Sequence, residues 1–173
     1  IIRSDGDCLQ VGPRSAGASP GPACYRCGGP LTITDAHLFL GRLQVEAFPP
    51  VFGPAGDLPP DLEVVRQLFG ELACQLGRDA ELLAEGALDL AVETMAHAIK
   101  QVSLLRGHDI RAGALVAYGG AAGQLACRVA GVLGLRQVLI HPLAGVLSAF
   151  GLGQARLREW RQVVVRRALE TDL

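Results

Sequence analysis

The chain has 173 residues, half of them hydrophobic and 19% charged, with a formal net charge of −1. That length suits one domain with a real core. The balance argues against intrinsic disorder and against a nucleic-acid or anionic-membrane surface as the main partner. No apolar run approaches the ~20 residues of a membrane-spanning helix. The start, Ile1-Ile-Arg-Ser-Asp5, carries neither an initiator Met nor a signal-peptide pattern, so the chain is expected to be a fragment of a longer polypeptide. Its five cysteines (Cys8, Cys24, Cys27, Cys74, Cys127) are odd in number and scattered. Reduced thiols in a cytoplasmic protein are the expectation.

In chain order, Cys8–Gly12 reads as a short strand. Residues 12–30 follow as a loop too rich in glycine and proline for regular structure. Leu31–Thr34 is expected to be a strand, with Asp35 capping a short helix through Leu43. Phe48–Pro60 is a second proline-rich loop. Asp61 then caps a helix with the stripe Leu62, Val65, Leu68, Phe69, Leu72 and Leu76, which stops at Gly77. Asp79 caps another, along which Leu88, Val92, Met95, Ile99 and Val102 recur at helical spacing before Gly107. Ala114–Tyr118, Ala122–Val132 and Gln137–Ile140 make a strand–helix–strand unit, followed by a helix over Ala144–Arg158 and a strand at Val163–Val165. This order predicts an α/β sheet with covered faces.

The junction Gly119-Gly-Ala-Ala-Gly-Gln124 carries the clearest chemical signal. A side-chain-poor turn between a buried strand and a helix leaves backbone N–H groups at the positive helix end, where a phosphate can sit. The same pattern also fits a plain tight turn. It lacks the Lys-Ser/Thr of a P-loop and the spacing of the dinucleotide fingerprint, and Ile140 is followed by His141-Pro142 rather than an acidic residue.

Other signals are weaker. Cys24-x-x-Cys27 is one pair where a structural zinc needs four ligands, which leaves incidental loop thiols. His37, His97, His108 and His141 show no metal-binding spacing; His97 reads as a packed or rim histidine, and His37 and His108 as solvated caps. No nucleophile elbow is present. Asp35 fits a helix cap or a polar role in a cleft. Arg156, Arg158, Arg161, Arg166 and Arg167 read as a solvated face or linker.

Several segments together resemble the hydantoinase/oxoprolinase A domain. They are Val11–Tyr25, Gly28–Ala36, Leu40–Leu43, Glu85-Gly86, Ala91–Ile99, Arg106–Asp109, Gly119–Gln124 and His141–Ala149. Within that family Phe48–Asp57 looks most like the ATP-dependent 5-oxoprolinase branch. The resemblance implies part of an actin-like ATPase (ribonuclease-H-like) fold, with two lobes and ATP in the cleft between them. Residues 1–158 would be the C-terminal portion of the A domain, and 159–173 a linker or the start of the next segment. Gly119, Gly120, Ala121, Ala122, Gly123 and Gln124 would contact the nucleotide.

The implied reaction is ATP-driven opening of a cyclic amide, 5-oxo-L-proline to L-glutamate, with magnesium bridging the phosphates. N-methylhydantoinase and ATP-dependent ketone carboxylase subunits share the domain, and a non-catalytic remnant is a third reading. Implied partners are a hydantoinase B-type domain or subunit and further copies of the full-length protein, with no nucleic acid or membrane. The chain departs from the family pattern at Leu125, where His is usual, at His37, often Asn, and at Cys27. The upstream phosphate loops with their acidic groups are missing, so no catalytic base is identified and the isolated chain is expected to lack turnover.

Overall fold

The computed structural model describes residues 1–164. It opens with an antiparallel hairpin, β1 (Ile2–Asp5) and β2 (Cys8–Val11), in the register Ile2–Val11 and Asp5–Cys8. Three helices follow: α1 (Ile33–Phe39), α2 (Leu62–Leu76) and α3 (Ala80–Leu105). Next comes the parallel unit β3 (Leu115–Ala117), α4 (Gly123–Leu133) and β4 (Val138–Ile140), and last α5 (Leu147–Gln154).

Helix α3 is the organising element, packed against α1, α2, α4 and β2. Its buried stripe is Leu83, Ala84, Ala87, Leu88, Ala91, Val92 and Ala96. The alanines let neighbouring helices approach closely around Val65, Phe69 and Val129, all at most 1% exposed. Of the expected stripe, Leu88 and Val92 lie on this face and Ile99 is half-buried, whereas Met95 and Val102 turn away and are exposed. Helix α2 ends as its sequence predicts. The Asp61 carboxylate accepts from the Glu63 and Val64 N–H groups, and Gly77 adopts a left-handed φ of 59°.

Four expectations need correction. Leu31–Thr34 is no strand: Thr32 is the N-cap of α1, and Asp35 sits three residues on in a reciprocal capping box. His37 is 2% exposed rather than solvated, because α1 turns that side chain into the core. The last helix spans only Leu147–Gln154, after a single 3₁₀ turn over Ala144–Val146; Gly151 and Gly153 weaken it. Val163 and Val164 form no strand, and Val165, like Arg166 and Arg167, lies outside the described residues. Hairpin strand β1 was not anticipated, although Asp5-Gly6 is a recognised turn signal.

Loop 12–30 is ordered by one side chain. Asp35 is fully buried, and its carboxylate accepts from Ala23 N–H (3.1 Å), Cys24 N–H (2.9 Å), Thr32 N–H (2.7 Å) and Thr32 Oγ1–H (2.8 Å). Those bonds tie the loop to the start of α1. Gly29 crosses so close to Gly21 that a Cβ there would collide with its carbonyl oxygen. Tyr25 stacks on Phe52 (4.5 Å) and so fastens the second loop to the first. Burial, reinforced by Asp35, pushes the Cys24 thiol far above the ordinary thiol range, which leaves it protonated and unreactive.

His37 lies beside a polar cluster joining α1, α3 and α4. Arg42 pairs with Glu85, and Arg128 with Asp89 and, at 3.7 Å, with Glu85. Burial, followed by the Arg42 and Arg128 charges, lowers the His37 pKa. The unfolded chain therefore takes up a proton that the folded one refuses. Stability from this group is complete above the unfolded value of ~6.5 and is lost as pH falls below it. We expect His37→Asn to flatten the fall in melting temperature of the intact protein between pH 7.5 and 5.5. An unchanged slope would remove His37 from that response.

Among the described residues, no helix is long and apolar enough to cross a membrane. All five cysteines are free thiols.

Candidate nucleotide-binding turn

Strands β3 and β4 pair in parallel, Leu115 with Val138 and Ala117 with Ile140. Their carboxyl ends therefore lie side by side, and each runs into a loop. After β3 the chain passes through Tyr118 into Gly119–Ala122 and α4. After β4 it passes through His141-Pro142 into the turn at Ala144–Val146. The crevice outside the carboxyl ends of such strands is where α/β sheets bind ligands.

One sheet face is covered by α4: Ala117 is buried, and Leu125, Ala126 and Val129 pack below it. The other face leaves Val116 and Leu139 each 55% exposed, so the expected covering is realised on one side only within the described residues.

The turn itself is open. Gly119, Gly120, Ala121 and Gly123 are exposed, and Ala122 and Gln124 are half-buried. Gly119 has φ +96°, a conformation that L side chains rarely adopt. A Cβ built on Gly119 or Gly120 would meet nothing within 4 Å.

The backbone amides divide into two groups. Gly119 N–H donates to Ala144 O (2.8 Å) and Gln124 N–H to Ala121 O (3.1 Å), so neither is free for a ligand. Among the described residues, the amides of Gly120, Ala121, Ala122 and Gly123 have no backbone acceptor. No side chain caps α4 and its first turn holds no acidic group, which leaves the positive helix end uncompensated. The six expected residues are thus brought together, with the donors narrowed to Gly120, Ala121, Ala122 and Gly123. Leu125 is 6% exposed and packs in the core, so it cannot reach a ligand at the turn.

The remaining singled-out residues lie elsewhere. Asp35 spends all its hydrogen bonds on the loop and on Thr32, which removes it from any cleft. His97 and His108 are exposed. No group of three or more His, Cys, Asp or Glu among the described residues could hold a metal ion. These residues therefore do not fit magnesium by themselves.

Residues 1–161 match the profile of the hydantoinase/oxoprolinase family. The chain is 49% identical over 164 residues to the 5-oxoprolinase PfmaA of Pestalotiopsis fici, covering 91% of this chain and 13% of that protein. Among solved structures it resembles the ATP-dependent caprolactamase from Pseudomonas jessenii, with a TM-score of 0.73 and 41% identity over 86% of this chain and 21% of that one. A nucleotide-free acetone carboxylase superposes with the same TM-score at 27% identity, over 87% of this chain and 21% of that one. The chain thus spans a small part of each protein it matches.

Proposed function

The chain belongs to the hydantoinase/oxoprolinase family and has part of its actin-like ATPase fold, and on that premise we propose that its parent protein is an ATP-dependent 5-oxoprolinase. The observation that carries this reading is the 49% identity to a 5-oxoprolinase across 91% of the chain. ATP use is supported by the likeness to the ATP-dependent caprolactamase.

In this reading the Gly119–Gln124 turn holds the nucleotide. The amides of Gly120, Ala121 and Ala122 face phosphate oxygens, which accept hydrogen bonds and favour the positive end of α4. The absence of side chains lets the main chain approach closely. Arg128, paired with Asp89 and Glu85 of α3, anchors α4 and so keeps the turn in place. Bound ATP would supply the activation of the amide oxygen that makes ring opening favourable. The acidic groups for magnesium and the catalytic base come from outside these residues, so turnover requires the whole enzyme.

Residues 1–158 form the C-terminal portion of the A domain in this scheme, and 159–173 lead to the next segment; the end of α5 at Gln154 supports that division. A B-type domain or subunit and further copies of the full-length protein complete the assembly. The caprolactamase relative carries the name of an alpha subunit, which supports a subunit partner. Free thiols support a cytoplasmic setting.

The test is ATP hydrolysis by the full-length parent. We expect phosphate release that depends on 5-oxo-L-proline and yields L-glutamate. Stimulation by caprolactam, a hydantoin or acetone with bicarbonate, and none by 5-oxoproline, would transfer the protein to another branch of the family.

A further inference from the structure

We propose that His141 is a second nucleotide contact, donating from its Nε2–H to a phosphate oxygen of ATP. The inference rests on the nucleotide reading of the Gly119–Gln124 turn.

The register that pairs Ala117 with Ile140 brings Tyr118 and His141 to the same carboxyl edge. Gly119 N–H donates to Ala144 O (2.8 Å), and Ala144 N–H donates in turn to His141 O (2.8 Å). The histidine loop is thereby tied directly to the glycine turn.

The ring is held in one orientation. Leu143 N–H donates to its Nδ1 at 3.0 Å, and the ring lies nearly parallel to Phe150, with centroids 6.2 Å apart and planes 28° apart. Because Nδ1 accepts, the proton of the neutral imidazole sits on Nε2. Nothing among the described residues accepts from that N–H, and the residue is exposed. A single pre-oriented donor beside a turn with free amides matches a ligand group that only accepts, as phosphate oxygens do.

Two substitutions separate the ring nitrogens. His141→Asn puts a carboxamide oxygen where Nδ1 sits, keeps the Leu143 bond and deletes the outer donor. His141→Gln carries an amide N–H out to about the position of Nε2. In calorimetric titration of the intact protein with ATP, we expect His141→Asn to weaken binding roughly tenfold, the size of one hydrogen bond to a charged group. We expect His141→Gln to restore most of that affinity, and the nucleotide-free melting temperatures of both to match the parent.

Wild-type affinity in His141→Asn, or an equal loss in both variants, overturns the proposal. Gly120→Val, titrated in parallel, keeps the two readings apart. If it loses affinity while His141→Asn does not, the turn stands and His141 falls. If the parent protein binds no ATP, the nucleotide reading falls and this inference with it.

Discussion

Gly120→Val is expected to lower the ATP affinity of the intact protein by about 100-fold, the loss that follows when a group intrudes where a ligand must meet the main chain. Gly120 does not occupy the left-handed region, and a Cβ there meets nothing within 4 Å. Valine is therefore accommodated by the fold, and its methyl groups project into the open space above the free amides. Gly119 is the poorer choice: at φ +96° any side chain strains the backbone, so lost binding could not be told from lost structure. Calorimetric titration with ATP, alongside a thermal melt without it, reads the two effects separately. Full ATP affinity in Gly120→Val would remove the turn from the nucleotide site.

Asp35→Ala is expected to destabilise the region around loop 12–30 by roughly 3–5 kcal/mol, as removal of one partner from a buried charged network does. The substitution removes an acceptor from two backbone N–H groups of the loop, Ala23 and Cys24, and from the N–H and hydroxyl of Thr32. Ala23 alone keeps a second acceptor, Pro30 O at 3.1 Å. Asp35→Asn is milder, because one amide oxygen can replace Oδ2 and its three donors, while the amide nitrogen is set against Cys24 N–H. Amide hydrogen exchange reads the effect directly. Protection at Cys24 should collapse in the alanine variant, with a smaller fall at Ala23, and should fall partly in the asparagine one, with α2 unaffected at its far end. Unchanged protection in Asp35→Ala would mean that glycine and proline constraints alone order the loop.

The two substitutions act at opposite kinds of site. Gly120 is where the fold leaves donors unused, and Asp35 is where four donors converge on one buried carboxylate. Unused donors at an exposed helix start are available to a ligand, whereas donors saturated in the interior serve the fold.

Elements whose signals are local were legible in the sequence. Helix α2 runs between its capping Asp61 and Gly77 as the residues specify, and the β3–α4–β4 unit falls within a residue or two of its expected bounds. The glycine turn was legible too, since a strand, a side-chain-free bend and a helix are contiguous in the chain. The family resemblance named the same six positions.

What the local pattern could not convey depends on contacts between distant segments. Leu31–Thr34 has strand-like composition, yet Asp35 bonds to Ala23 and Cys24 and makes Thr32 a helix cap instead. His37 looks like a terminal residue and is buried, because α1 packs against α2 and α3. The tertiary structure also decided which amides of the turn are free, since Gly119 is claimed by Ala144, a residue from the next loop. Capping, helical periodicity and glycine turns act over a few residues and can be read from order alone. Burial, the locked ring of His141 and the sharing of hydrogen bonds between loops arise only when the parallel strands bring their ends together.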